Sequence, residues 1–294
     1  LVAAVERRLF VTSSAATMWS VRWGACAWNG DEDVLPELAF AIEATREAAR
    51  LGAAPRALVT HDHLAVDGVK LGLGSSAAAT VATLRAATEG LSLTETELWR
   101  RADAIHRALQ GGRGSGADVA ATVHGGLLLY TREPTGVVPV HIHPDVRLVA
   151  LRTEASVKTA PRLARFEAFV AAHPPEAARF ESLSERGVAQ LALALASGDA
   201  TALREAVAAA REALLFLQAR AGLELETPTM RRAIDLAAGL GVGAKQSGAG
   251  GGDCAVAIAP DEDAARRLMK ASADAGLGAF LLPVAKEGVR EEGL

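Results

Sequence analysis

The stretch Gly72-Leu-Gly-Ser-Ser-Ala77 decides how the rest of the chain is read. It is a glycine turn that runs directly into an alanine-rich, helix-forming segment. Glycine lacks a Cβ, so its backbone can approach a ligand closely and gather consecutive N–H groups on one concave face. A helix starting at such a turn adds its own unpaired N–H groups and the positive end of its dipole, which together favour an anion. Ser75 or Ser76 can add a hydroxyl ligand for magnesium. A single loop of this kind can equally be a turn that only caps a helix.

Working outward, two more segments share the composition: Gly111-Gly-Arg-Gly-Ser-Gly116 and Ser247-Gly-Ala-Gly-Gly-Gly-Asp253. Positive charge is otherwise almost all arginine, and the lysines are Lys70, Lys158, Lys245, Lys270 and Lys286. Lys70 stands two residues before Gly72, and Lys245 three before Gly248. Lysine is a compact charge on a flexible stem, suited to a phosphate that shifts during transfer. Repeated glycine loops with lysine beside two of them point to a phosphate site. The Walker pattern G-x-x-x-x-G-K-[ST] is absent. Gly72-x-Gly74-x-x-Ala77 and Gly239-x-Gly241-x-x-Ala244 satisfy a loose dinucleotide fingerprint, which requires a buried strand before the first glycine. Asp67-Gly-Val-Lys70 is too polar for that strand, and Gly239 follows a helical pattern.

The 294 residues, 50% apolar and 22% charged, make a folded chain of roughly two domains. A net charge of −4 argues against general nucleic-acid binding. Cys26 and Cys254 cannot build a disulfide framework, and no apolar run approaches the ~20 residues of a membrane helix. A cytoplasmic protein, monomeric or homodimeric, acting on a small molecule without membrane or nucleic acid is expected. Leu1–Val11 reads as strand, so the native chain is expected to begin upstream.

Strands are expected at Leu9–Ser14 and Arg56–Thr60, and a helix follows Pro36. Trp19–Gly30 shows no clear period. Thr94 to Glu97 has capping-box spacing and opens an amphipathic helix through Leu109. Asp118–His124 reads as a short apolar turn, and Leu127–Thr131 with Val137–Ile142 as two strands. A boundary near Pro144 gives domains 1–145 and 146–294. The second half reads strand (Val146–Thr153), long alanine- and arginine-rich helices, strand, helix, strand. That is close to a split βαβ sandwich with one strand not clearly identified.

At these residues the chain resembles the GHMP kinases. Lys70-Leu-Gly-Leu-Gly-Ser-Ser-Ala-Ala78 is similar to the family's second signature, and Lys245-Gln-Ser-Gly-Ala-Gly-Gly-Gly-Asp-Cys254 to its third. The Gly-Asp-Cys ending resembles the phosphomevalonate kinase branch. Gly114-Ser-Gly-Ala-Asp118, followed by Gly125-Gly126, resembles the segment carrying the catalytic aspartate. The resemblance implies an α+β, two-domain fold: an N-terminal domain like domain 2 of ribosomal protein S5 and a ferredoxin-like C-terminal domain. It implies ATP and Mg2+ as cofactors, with Mg-ATP between the domains on Gly72, Leu73, Gly74, Ser75, Ser76 and Ala77, and Ser76 as the metal ligand. Asp118 and Lys70 take catalytic positions. Ser115, Gly116, Ser156, Lys245, Ser247, Gly248, Ala249 and Gly250 fall to the substrate, with Thr159 beside them. The implied reaction passes the γ-phosphoryl group of ATP to the phosphate of 5-phosphomevalonate. Homoserine kinase, a sugar kinase and an inactive nucleotide-binding relative are the alternatives.

Three departures stand out. The family's N-terminal Pro-Gly-Lys signature is missing from the sequence. Arg107 stands where mevalonate kinases carry a magnesium-binding glutamate, eleven residues before the aspartate. Gln246 replaces a usual proline.

A phosphate monoester acceptor has a second pKa of about 6, so its oxygen is already ionised at neutral pH and needs no general base. Asp118 is then expected to orient a lysine and magnesium. Lys70, Lys245, Arg113 and Lys158 are available to offset anion repulsion. Other features receive plainer readings. The pairs His61/His63 and His141/His143 lack further ligands and read as exposed strand-end residues. His106 and His124 read as packing residues, Cys254 as a small buried side chain, and Asp253 as bonded within its own loop. The Trp19–Trp28 tryptophans read as core, and Arg162, Arg204, Arg211, Arg231 and Arg232 as a solvated face.

Overall fold

The structure is a computed structural model describing residues 1–30, 32–62, 65–66, 69–70, 72–153, 159–248 and 254–292, with backbone alone at 62, 65–66, 69–70 and 159–161. The chain divides into two compact units, one of Val2–Pro139 with Val284–Leu294, the other chiefly of Val140–Pro283.

The first unit runs β1 (Val2–Ala3), β2 (Leu9–Ala15), β3 (Ser20–Trp23), β4 (Cys26–Asn29), α1 (Ala39–Arg50) and β5 (Arg56–Asp62). It continues through β6 (Ala65–Val66), β7 (Val69–Lys70), α2 (Ser75–Ala87), α3 (Glu95–Leu109), α4 (Ala117–His124), β8 (Leu127–Arg132) and β9 (Thr135–Val140). One sheet has the order β2-β5-β3-β4, with β5 antiparallel to β2 and parallel to β3. Val21 and Trp28 pair across β3 and β4 and point into a core shared with Ile42 of α1, Val81 and Leu84 of α2, Leu98 of α3 and Val119 of α4. That core holds α2 and α4, the two helices that start at glycine motifs, together with α1 and α3.

Two local readings are corrected. Trp19–Gly30 is a hairpin whose register, Trp23 opposite Cys26, leaves Gly24-Ala25 as a two-residue loop. Gly24 has φ +58°, the conformation that a glycine-first hairpin turn needs. Asp118–His124 is not a turn but most of helix α4. With glycines at both ends, this helix is too short for its 3.6-residue period to show in the sequence.

The C-terminal segment returns to this first unit. Ala285 N–H donates to Ala4 O, and Gly126 N–H donates to Ala285 O at 2.7 Å. Arg8 Nη1 donates to Gly288 O, and Val289 packs on the core. Gly288 lies against the last turn of α4, where a Cβ would overlap the Val123 carbonyl.

In the second unit β10 (Arg147–Arg152) is followed by α5 (Thr159–Ala172), α6 (Pro174–Ser197), α7 (Ala200–Ala221) and α8 (Pro228–Gly239). Then come β11 (Gly243–Gln246), β12 (Cys254–Ala259), α9 (Glu262–Asp274) and β13 (Gly278–Leu281). The sheet order β11-β12-β10-β13, antiparallel throughout, is that of a ferredoxin-like sandwich, and β11 completes its strand set. Met230, Ile234 and Ala237 of α8 and Leu268 of α9 pack with the sheet residues Val149, Leu151 and Ala257. The two units together make the chain a two-domain α+β protein. No described helix is long and apolar enough to cross a membrane.

Candidate active site

In the first unit α2 starts at Gly74, whose φ of +79° places it in the left-handed region. No side chain caps this end, and the first intrahelical bond is Ala78 N–H to Gly74 O. The N–H groups of Ser75, Ser76 and Ala77 are therefore the helix's orphan donors, available to an anion. This is the arrangement that the Gly72–Ala77 composition predicts.

Helix α4 starts the same way. Gly116 has φ +84° and Asp118 lies in the first turn, but here the Ala117 and Val119 N–H groups already donate to side chains, Ser115 Oγ at 3.3 Å and Asp118 Oδ1 at 3.0 Å. The preceding loop is tied down by its carbonyls. Tyr130 Oη donates to Ser115 O at 2.7 Å, and Arg132 Nη1 donates to Gly114 O and Ser115 O. A Cβ at Gly116 would overlap the Asp103 carboxylate and come within 3.0 Å of Tyr130 Oη, so only glycine fits. Sequence reasoning missed Tyr130, Arg132 and Asp103. The i, i+2 spacing of Tyr130 and Arg132 on β8 was the available signal, since it puts both on one face of the strand.

The two helix starts meet. A Cβ on Gly74 would lie 3.7 Å from Asp118 Cβ. Ser76 Oγ is 2.9 Å from His106 Nε2, and Asp118 Oδ2 is 3.7 Å from the same nitrogen. His106 on α3 is 1% exposed, whereas the Asp118 side chain is 40% exposed. Reading His106 as packing alone is therefore incomplete: it does pack, with Phe40 at 5.2 Å between ring centroids, but it also bonds Ser76. Burial pushes its pKa below the usual histidine value against the pull of Asp118 and Asp103, so the ring is neutral at physiological pH. Burial also raises the Asp103 carboxyl, overriding Arg107 and Arg132, and the Asp118 charge adds to that rise.

Serine, histidine and aspartate together invite comparison with a hydrolase triad. That arrangement puts serine on one ring nitrogen and aspartate on the other. Here both face Nε2, while among the described residues Nδ1 is buried without a partner, so the pairing is not that of such a relay. The set instead suits a nucleotide with its metal: orphan amides for phosphate oxygens, the Ser76 hydroxyl and the half-exposed Asp118 carboxylate for a hard cation. Among the described residues no group of three or more His, Cys, Asp or Glu could hold a metal without such a ligand.

In the second unit Lys245 is half-buried on β11, its Nζ donating to Gln246 O at 2.7 Å. Burial lowers its pKa to about 8, opposed by the Cys254 thiol. Ser247 N–H donates to Cys254 O, opening the loop, and Gly248 has φ +55°. Cys254 is buried, as expected. Gln246 is fully buried with no partner on its amide among the described residues. Ser156, Lys158, Ala249, Gly250 and Asp253 lie outside the described residues, as do the side chains of Lys70 and Thr159. The backbone of Lys70 pairs with Ala65 between β7 and β6.

The arginine reading is also revised. Arg211 and Arg231 are not merely solvated, because both donate to the Glu226 carboxylate, whose side chain is 0% exposed. Glu226 sits between α7 and α8, where no helical periodicity marks it.

Comparison with known proteins follows these lines. Residues 40–126 match the GHMP kinases N terminal domain, and residues 191–276 match the GHMP kinases C terminal domain. The chain is 34% identical over 227 residues to a phosphomevalonate kinase of Streptomyces sp. (strain CL190), covering 69% of this chain and 60% of that protein. It is 32% identical over 249 residues to a mevalonate kinase of Aeropyrum pernix, covering 82% of this chain and 74% of that protein. The Streptococcus pneumoniae phosphomevalonate kinase, solved with phosphomevalonate and AMPPNP, superposes with a TM-score of 0.78 at 20% identity, covering 92% of this chain and 89% of that one. Both domain matches and the curated relatives agree with the glycine loops: the chain belongs to the GHMP kinase family, a family of phosphotransferases that use ATP.

Proposed function

We propose that this chain is a phosphomevalonate kinase, transferring the γ-phosphoryl group of ATP to the phosphate of 5-phosphomevalonate. The observation that carries the kinase reading is the meeting of two helix starts that open on left-handed glycines, with Gly74 and Ser76 of α2 beside Asp118 of α4. The choice of acceptor is supported by the 34% identity to the Streptomyces phosphomevalonate kinase and by the Gly-Asp-Cys ending of the third loop. Arg107 supports it further, since it stands where mevalonate kinases place an acidic metal ligand.

In this reading the Ser75, Ser76 and Ala77 amides and the Gly72–Gly74 turn hold the nucleotide's phosphates. Mg2+, when bound through Ser76, neutralises phosphate charge. Asp118 orients the cationic partners and removes no proton, because the acceptor phosphate is already ionised. Lys70, Lys245 and the Ser115–Gly116 and Ser247–Gly250 loops receive the acceptor and offset repulsion between two anions. Ser156 belongs to the same acceptor set. Transfer then depends on alignment and electrostatics, the main requirements of phosphoryl transfer.

The test is ADP release with Mg-ATP and a panel of phosphomevalonate, mevalonate, homoserine and galactose. Turnover with phosphomevalonate well above the others is expected. Preference for mevalonate overturns the acceptor, and no ADP release with any acceptor overturns the kinase reading.

A further inference from the structure

We propose that His106 is a positioning residue: its Nε2 fixes the Ser76 hydroxyl so that a lone pair of the oxygen faces the cation that accompanies ATP. This rests on the kinase reading above and adds a residue to it.

Three observations carry the inference. First, His106 is the one side chain hydrogen-bonded to Ser76 Oγ among the described contacts, at 2.9 Å, and Gln110 Nε2 lies 3.2 Å from the same ring nitrogen. Whichever ring tautomer is present, one bond to Nε2 engages either the Ser76 hydroxyl proton or one lone pair, so at least one lone pair of the oxygen stays available to a cation. Secondly, the ring cannot drift. It is 1% exposed, tilted against Phe40, and held on α3 by the core contacts of Leu98, Ala102 and Ile105. Thirdly, the arrangement has a cost that packing does not explain. Among the described residues Nδ1 is buried with no partner, and a leucine or phenylalanine would fill the space without stranding a polar atom. Asp118 Oδ2, at 3.7 Å, is beyond hydrogen-bond reach of the ring, so the ring does not consume that oxygen.

The test compares two amides of opposite reach. In His106→Gln the amide superposes on Nε2 and reaches Ser76; in His106→Asn it ends near Nδ1 and does not. Calorimetry measures ATP binding with and without Mg2+, and the ratio of the two affinities is the readout. His106→Gln is expected to keep the wild-type ratio within about twofold, and His106→Asn to lower it about tenfold, the worth of one hydrogen bond. Metal-free ATP binding should stay within about twofold in both. Two folded variants with the same ratio overturn the proposal. A wild-type chain whose ATP affinity does not respond to Mg2+ overturns the metal assignment of Ser76 and the proposal with it. Should either variant fail to fold, the wild type decides. The 15N resonance of His106 Nε2, identified by through-space contact with Phe40, is expected to shift when Mg2+ joins ATP. An unmoved resonance overturns the proposal.

Discussion

Gly74 and Asp118 face one another across the starts of α2 and α4, with only 3.7 Å between Asp118 Cβ and the place a Gly74 side chain would occupy. The two residues are 44 positions apart in sequence, and the shared core of Val81, Leu84 and Val119 brings them together. Asp118 therefore sits beside the phosphate turn without being part of it. Asp118→Asn is expected to lower kcat about a hundredfold or more, while ATP affinity changes by no more than about twofold. A calorimetric titration showing large loss of ATP binding would remove Asp118 from the transfer step.

Gly74→Ala tests the turn itself. A side chain at φ +79° costs about 1–2 kcal/mol, although its Cβ would meet only an ordinary contact with Asp118 Cβ. The backbone relieves this strain by moving the amides of Ser75 and Ser76. KM for ATP should rise roughly tenfold with kcat less affected, and thermal stability should fall slightly. Unchanged KM would mean that these amides do not hold phosphate.

The C-terminal segment braces α4 from behind. A Cβ on Gly288 would overlap the Val123 carbonyl, and one on Gly125 would overlap the backbone of Glu287 and Gly288. Gly288→Ala should cost about 1–3 kcal/mol in urea unfolding, as overpacking does. It should also lower kcat, because α4 carries Asp118. A variant of full stability would show that the segment yields freely.

Much of this was legible beforehand. The glycine loops and the Thr94–Glu97 capping box are local signals, and the box forms as its spacing predicts, with Glu97 N–H donating to Thr94 Oγ1. What stayed hidden depends on distant partners. His106 looks like any helical histidine until α2 brings Ser76 beside it. Tyr130 and Arg132 acquire a purpose only when β8 passes under the Gly114–Gly116 loop. The β3–β4 hairpin was readable in part from Gly24-Ala25, but its tryptophans gave no alternation, because Trp28 alone of the three is fully buried.

Glu226 shows the same effect in the second unit, and it carries a stability prediction. Burial alone would raise its pKa, but hydrogen bonds from Arg211 and Arg231 reverse that and hold it below the usual glutamate value. Its stabilisation is thus complete above the unfolded value near 4.5 and is lost as pH falls through the depressed folded value. Glu226→Gln should cost about 2 kcal/mol at pH 7 and little in strong acid, where wild type has lost the same interaction. Equal losses at both pH values in urea unfolding would refute the ionic account.

Lys245 makes the last prediction, and its sign follows from burial. With a folded pKa of about 8 against 10.5 unfolded, the ammonium is present below pH 8 and lost above it. If it receives the acceptor's phosphate, kcat/KM for phosphomevalonate should climb as that phosphate completes its second ionisation near pH 6 and decline above about pH 8. Lys245→Ala should raise the acceptor KM at neutral pH and abolish the alkaline decline, leaving KM for ATP nearly unchanged. Stability moves the opposite way to activity. The folded state binds fewer protons than the unfolded one between pH 8 and 10.5, so wild type should become more stable across that interval. An alkaline fall in kcat/KM that accompanies a gain in stability cannot come from unfolding. A profile unaltered by Lys245→Ala would assign the decline to another group.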